Sequence, residues 1–139
     1  MNTSYTIHDC TLIDIATFTD ERGAISVIDK ELLFQVKRVF WLHHIQEGKD
    51  RGAHALLDGM EIMIAIHGLF VVDLDDGTEK TSVSLDNPSK GLIIRPGIWF
   101  RTHGYKEDGV SLILAEEEYS RDRYTYNYEE FINLKPCIK

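Results

Sequence analysis

Among the six histidines of the chain, His54 keeps the most telling company, closing the segment Arg51-Gly52-Ala53-His54. An imidazole titrates at about 6.5 when unperturbed, so it can take or return a proton at cellular pH. The same residue also reads as a buried histidine tied to a backbone carbonyl. His103 offers a second proton carrier or a group that orients a substrate, or else a loop residue at a turn. Arg22, Arg38 and Arg51 fit a clamp for diphosphate, because guanidinium forks bind phosphate oxygens two at a time. Against that stands ordinary surface pairing in a chain with 23 acidic residues. Glu61 can hydrogen-bond a hydroxyl or pin a neighbouring loop. Trp41, Trp99 and Phe40 present flat faces for a base or a sugar ring, although core packing is the more common explanation for such residues. Tyr124 and Tyr128 can cover a site or seal a barrel. His8, His43, His44 and His67 carry less weight: the adjacent pair alternates on a strand, so at most one faces inward, and His67 precedes a hairpin glycine and is expected to be exposed.

Short apolar runs between turn residues are the elements available to hold these groups. Arg38 to His43, Glu61 to Ile66, Leu69 to Leu74, Thr81 to Leu85, Gly91 to Arg95 and Val110 to Ala115 are five or six residues each. Their spacing of about ten residues suits antiparallel strands in a sandwich or barrel. Asp58-Gly59, Asp75-Asp76-Gly77 and Asp108-Gly109 supply the positive φ that tight hairpins need, as His67-Gly68 does between two of the runs. Beyond Ala115 the chain changes character, with Tyr119, Tyr124, Tyr126, Tyr128 and Phe131 set among charges. A helical turn is expected over Tyr128 to Ile132. The fold class is therefore all-β with a short C-terminal helix.

Composition bounds the function. The 139 residues suit one domain, 1–139, without linker or repeat, and 43% hydrophobic residues are enough for a core. A net charge of −8 argues against a nucleic-acid partner, which would need a basic face. It leaves room for a phosphorylated small molecule held by a few local arginines. No run approaches the roughly 18 apolar residues of a membrane span. Met1 to Cys10 lacks the basic and apolar regions of a secretory signal, so a cytoplasmic location is expected. Cys10 and Cys137 read as reduced and structural. The runs Asp29-Lys30-Glu31 and Glu116-Glu117-Glu118 read as solvated surface.

Gly52, His54, Glu61 and Gly68 follow the spacing of the first motif of the cupin barrels, and Gly91, Pro96-Gly97 and Trp99 follow the second. A metal-binding cupin would carry a further histidine at 56 and another just after the Pro-Gly turn. Leu56 and Phe100 stand there instead. One imidazole and one carboxylate are too few for a divalent ion, so no metal and no other cofactor is expected.

Asp20-Glu21-Arg22-Gly23, Lys37-Arg38-Val39-Phe40-Trp41, Arg51-Gly52-Ala53-His54, Pro96-Gly97-Ile98-Trp99 with His103, and the tail Glu118-Tyr119 to Phe131 carry a closer likeness. Together they resemble the WxcM-like sugar 3,4-ketoisomerases that act on dTDP-4-keto-6-deoxyglucose, over about residues 9–132. The resemblance implies a cupin (RmlC-like) jelly-roll barrel, a double-stranded β-helix, and ketone migration through an enediolate in deoxysugar and surface polysaccharide biosynthesis. It makes His54 the base, with His103 beside it and Arg22, Arg38, Arg51, Trp41, Glu61, Trp99 and Tyr124 around a dTDP-linked sugar. It also implies a homodimer, with exchanged N-terminal strands. The chain departs from that family where Leu56 replaces the second histidine of Arg-Gly-x-His-x-His. A dTDP-sugar 3,5-epimerase using the same histidine, or a sugar-nucleotide binder without turnover, are the alternatives, and a metal-dependent cupin oxygenase stands last.

Overall fold

A computed structural model describes residues 4–29 and 32–139 of the chain. Its strands are β1 (Leu12–Asp14), β2 (Ala16–Asp20), β3 (Gly23–Val27), β4 (Arg38–Leu42), β5 (Arg51–Leu56), β6 (Glu61–Asp75), β7 (Lys80–Leu85), β8 (Lys90–Ile94), β9 (Trp99–Ala115) and β10 (Tyr124–Thr125). One α-helix, α1 (Tyr128–Leu134), follows them. The order across the main sheet is β1-β8-β6-β9-β5-β10, with β4 on β9 and β7 on β6, every pairing antiparallel. This sheet curls into the expected all-β, cupin-like barrel with a short helix at its C-terminal end.

Two turn signals in the sequence proved to be bulges. The runs on either side of His67-Gly68 form the single 15-residue strand β6, and Asp108-Gly109 lies inside the 17-residue β9. Pairing between the two strands shifts register around His67 and Leu69. Gly68 has φ of 62°, and a Cβ there would sit 2.5 Å from the Lys106 carbonyl oxygen, so glycine lets the two backbones close up. A true tight turn follows at Asp76-Gly77. There the Asp76 carboxylate accepts from the amides of Thr78 and Glu79 at 2.9 and 2.7 Å.

The start of β6 reads as unbroken apolar sequence because both of its faces are covered. Met63, Phe70, Val72, Leu74, Leu92, Ile94, Phe100 and Ile113 fill the barrel interior. Ile62, Ile64, Ile93 and Leu114 point the other way, under Ile28, Leu32, Phe34 and Val36 of the preceding segment. Helix α1 is capped by the Asn127 side chain, which accepts from the Glu130 amide at 2.9 Å, and buries Phe131 completely.

Strands β2 and β3 form a separate hairpin, exposed along its whole length. Phe18 pairs with Ile25 and Ala16 with Val27, so one of its faces is apolar. Of the charge runs, Lys30 and Glu31 lie outside the described residues, as do the first three residues of Met1 to Cys10. Glu117 is half-buried and lies 3.5 Å from Lys37 and 3.6 Å from Arg123, so that run is paired surface and not simply solvated. Among the described residues both cysteines are free, Cys10 buried and Cys137 exposed.

Candidate active site

Three strands side by side bring a cation and a carboxyl to one spot. Ala115 of β9 pairs with Arg38 of β4 on one side and Glu61 of β6 on the other. Directly paired residues share a face, so both long side chains lean over the small Ala115. Arg38 Nη2 comes within 3.6 Å of the Glu61 carboxyl and donates to the Tyr124 hydroxyl at 2.5 Å. The guanidinium carbon also sits 4.4 Å from the centre of the Phe40 ring. Arg38 Nε is buried and finds no hydrogen-bond partner among the described residues. A buried donor left open in this way is a place for an oxygen to bind.

The histidine reaches the same space through a bulge. Arg51 pairs with Thr102 and His54 with Phe100, so three residue steps along β5 span what two steps along β9 span. In a regular strand, positions 51 and 54 would point to opposite faces. Gly52, with φ of 79°, takes up the extra residue and turns both Arg51 and His54 inward. This is the physical content of the glycine in Arg-Gly-x-His.

His54, Arg38, Arg51, Glu61 and Tyr124 line one cavity of about 660 Å³, joined by Phe40, Phe100, Thr102, Tyr119 and Tyr126. A volume of that size accommodates a nucleotide-sized ligand. Arg51 is exposed at the rim, and among the described residues no carboxylate pairs with it. The His54 ring lies 4.7 Å from that of Phe100 and 5.0 Å from that of Tyr124. Burial among these rings, reinforced by the Arg38 charge, lowers its pKa from 6.5 to about 4. Glu61 moves the other way, burial pushing it up to about 7 against the pull of Arg38. Both groups are thus largely uncharged somewhat below neutrality, His54 as free imidazole and Glu61 as carboxylic acid.

Four expected site residues lie elsewhere. Trp41 alternates outward from Phe40 on β4 and is 56% exposed, beside His43, His44 and His67. Trp99 faces outward from Phe100 and packs on Tyr128 and Phe131 at 5.3 and 5.7 Å, holding α1 to the barrel. His103 follows the inward Thr102 and so faces away from the cavity, its Nε2 3.0 Å from Asp73. Arg22 sits exposed in the β2–β3 turn, paired with Asp20 at 2.6 Å. Neither of the adjacent histidines faces inward: β4 ends at Leu42, and His43 and His44 are both exposed, as is His67.

Tyr119, Tyr126, Thr102 and Phe100 are among the cavity residues that the sequence did not single out as site residues. Tyr126 stacks on Tyr124 at 5.8 Å, and Tyr119 lies 6.1 Å from Tyr124. The signal for them is the aromatic density after Ala115, with Tyr124 and Tyr126 spaced by two. Among the described residues no group of three or more metal-ligating side chains occurs.

A family model described as FdtA, WxcM-like, C-terminal, matches residues 8–136. A TDP-4-oxo-6-deoxy-alpha-D-glucose-3,4-oxoisomerase from Aneurinibacillus thermoaerophilus is 30% identical over 122 residues, 86% of this chain and 88% of that one. The WlaRA TDP-fucose-3,4-ketoisomerase from Campylobacter jejuni superimposes with a TM-score of 0.85 at 31% identity, covering 92% of this chain and 96% of its own. The QdtA sugar 3,4-ketoisomerase from Thermoanaerobacterium thermosaccharolyticum, in complex with TDP, does so with a TM-score of 0.89 at 27% identity, covering 92% and 95%. A dTDP-4-dehydrorhamnose 3,5-epimerase from Bacillus anthracis, at 15% identity and a TM-score of 0.75, shares the fold alone.

Proposed function

Because the chain belongs to the FdtA family, WxcM-like, C-terminal, we propose that it is an isomerase that moves the ketone of a dTDP-linked 4-keto-6-deoxyhexose from C4 to C3, in deoxysugar and surface polysaccharide biosynthesis. The observation that carries this is the convergence of His54, Arg38 and Tyr124 on one cavity, in a chain that is 30–31% identical to 3,4-ketoisomerases acting on TDP sugars.

Ketone migration requires removal of the proton on C3 and delivery of a proton to C4, through an enediolate. His54 is the base in this proposal. It enters as free imidazole, since its pKa of about 4 keeps it unprotonated at neutral pH. Such a low pKa also makes a weak base. The diphosphate of the substrate, bound near Arg38 and Arg51, offsets the guanidinium charge and raises the imidazole toward the operating pH. Arg51 at the rim holds the diphosphate as a bidentate partner. Arg38, with its open Nε, faces the oxygen that gains negative charge as C3 is deprotonated. Thymine stacks on Tyr119 and Tyr126, a role for which Trp41 and Trp99 are on the wrong face.

The proposal includes a homodimer formed through the β2–β3 hairpin. A two-stranded hairpin alone is marginal in water, and Phe18 and Ile25 on its apolar face are 68% and 67% exposed. A second copy of the chain covers that face. The location proposed is the cytoplasm, in keeping with the exposed free thiol of Cys137.

A second reading rests on Leu56, which is 4% exposed and takes the place of a second histidine. It makes the chain a sugar-nucleotide binder without turnover. Incubation with dTDP-4-keto-6-deoxyglucose, followed by NMR, separates the readings. Appearance of the 3-keto isomer supports the isomerase. Exchange at C3 and C5 without migration means an epimerase, and tight dTDP binding without exchange means a binder.

A further inference from the structure

Ketone migration moves two kinds of proton. One passes from C3 to C4 on carbon, and the other passes from the C3 hydroxyl to the C4 oxygen. A single imidazole serves the first. Leu56 leaves no second imidazole beside it, and His103 is on the outer face of the barrel. The remaining carboxyl buried in the cavity wall is Glu61, with 4% of its side chain exposed. Across Ala115 it meets Arg38 at 3.6 Å, and Arg38 in turn binds the Tyr124 hydroxyl.

Building on the ketoisomerase reading, we propose that Glu61 is the second catalytic residue of the reaction, carrying the oxygen-bound proton while His54 carries the carbon-bound one. The steps balance. His54 Nε2 or Nδ1 takes the C3 proton, the C3–H electron pair becomes the C3–C4 double bond, and the C4 carbonyl pair moves onto its oxygen, beside Arg38. That oxygen of the enediolate then takes the Glu61 proton, giving a neutral enediol. The Glu61 carboxylate then takes the proton of the C3 hydroxyl. Its O–H pair becomes the C3 carbonyl, and the double-bond pair takes the proton held by His54, at C4. Glu61 ends as the acid and His54 as the free base, each as it began. No oxidant, reductant or metal is consumed.

The surroundings of Glu61 suit that role. Arg38 on β4 and Tyr124 on β10 are the charged and titratable groups that face it. Its pairing partners Ala115 on β9 and Ile94 on β8 are apolar. Burial holds it protonated up to about pH 7, so the acid form is available to substrate, and the Arg38 guanidinium is in place when the carboxylate forms.

The test uses Glu61→Gln, an uncharged substitution of equal shape, and reads C3 deuterium exchange and ketone migration separately by NMR. In the variant, migration should fall roughly 10²-fold or more, the usual size of a lost general acid-base group, while exchange at C3 stays within about tenfold of wild type. Undiminished migration overturns the role, and so does equal loss of exchange and migration. Should the variant fail to fold, the wild-type kcat/KM profile decides: an alkaline fall centred at about pH 7 is expected, and a flat profile through that pH contradicts the proposal. Absence of both exchange and migration in the wild type would instead remove the ketoisomerase reading itself.

Discussion

Arg38 and Glu61 stand on neighbours of the same strand, flanking Ala115, with 3.6 Å between guanidinium Nη2 and carboxyl. Burial moves His54 down and Glu61 up, and the guanidinium acts on both of them besides. Arg38 lowers the pKa of His54 and pulls that of Glu61 down from where burial alone would leave it.

Arg38→Met therefore has a readable effect on two other residues. Burial still depresses the imidazole of His54, but it should titrate above 4, and Glu61 should titrate above 7, both visible by NMR. Loss of a charged hydrogen-bond donor should also weaken TDP binding by about 1.5–3 kcal/mol. An unchanged His54 titration would mean that Arg38 does not set the field there.

Stability against pH should be unusually flat in mildly acidic solution. His54 has a folded pKa of about 4 against 6.5, so its share is complete above 6.5 and is lost as pH falls toward 4. Glu61 has a folded pKa of about 7 against 4.5, so its share is complete below 4.5 and is lost as pH rises toward 7. Each spans on the order of 3 kcal/mol at most, with opposite slopes where the windows overlap. His54→Asn should leave a Tm that falls as pH rises through that range, and Glu61→Gln one that rises. Parallel slopes in the two variants would contradict the assignment.

Gly52→Ala tests the bulge. An L-residue at φ of 79° is strained by about 1–2 kcal/mol, and relief of that strain re-aims β5. Turnover should fall by more than the Tm shift explains, because His54 loses its inward setting. A variant with full activity would show that the bulge does not position the imidazole.

This bulge also marks what the sequence could and could not tell. His54, Arg38, Arg51, Glu61 and Tyr124 stood out in the sequence as candidates, from motif spacing and the likeness of the tail, and the structure brings all five to one cavity. Strand parity was the information lacking for the others. Trp41 is one residue from the inward Phe40, Trp99 one from the inward Phe100, and His103 one from the inward Thr102, so each falls on the wrong face. Composition cannot assign a face until the register is known. Gly68 and Asp108-Gly109 misled in a related way, since positive φ serves a bulge within a long strand as well as a turn between short ones. β2 and β3 were unread as strands because their apolar face is exposed within one chain.

That hairpin gives a prediction of its own. Phe18→Asp with Ile25→Asp places two charges opposite each other on the apolar face. In sedimentation, wild type should run as a dimer and the double variant as a monomer with an intact barrel. A monomeric wild type would leave the hairpin without the proposed partner.

The most direct measurement is the rate of C3 deuterium incorporation into dTDP-4-keto-6-deoxyglucose, followed by NMR in heavy water for wild type and His54→Asn. Wild type should exchange C3 and accumulate the 3-keto isomer, and His54→Asn should still bind TDP while losing exchange by roughly 10²–10⁴-fold. Undiminished C3 exchange in His54→Asn would contradict the account, since the imidazole would then not be the base.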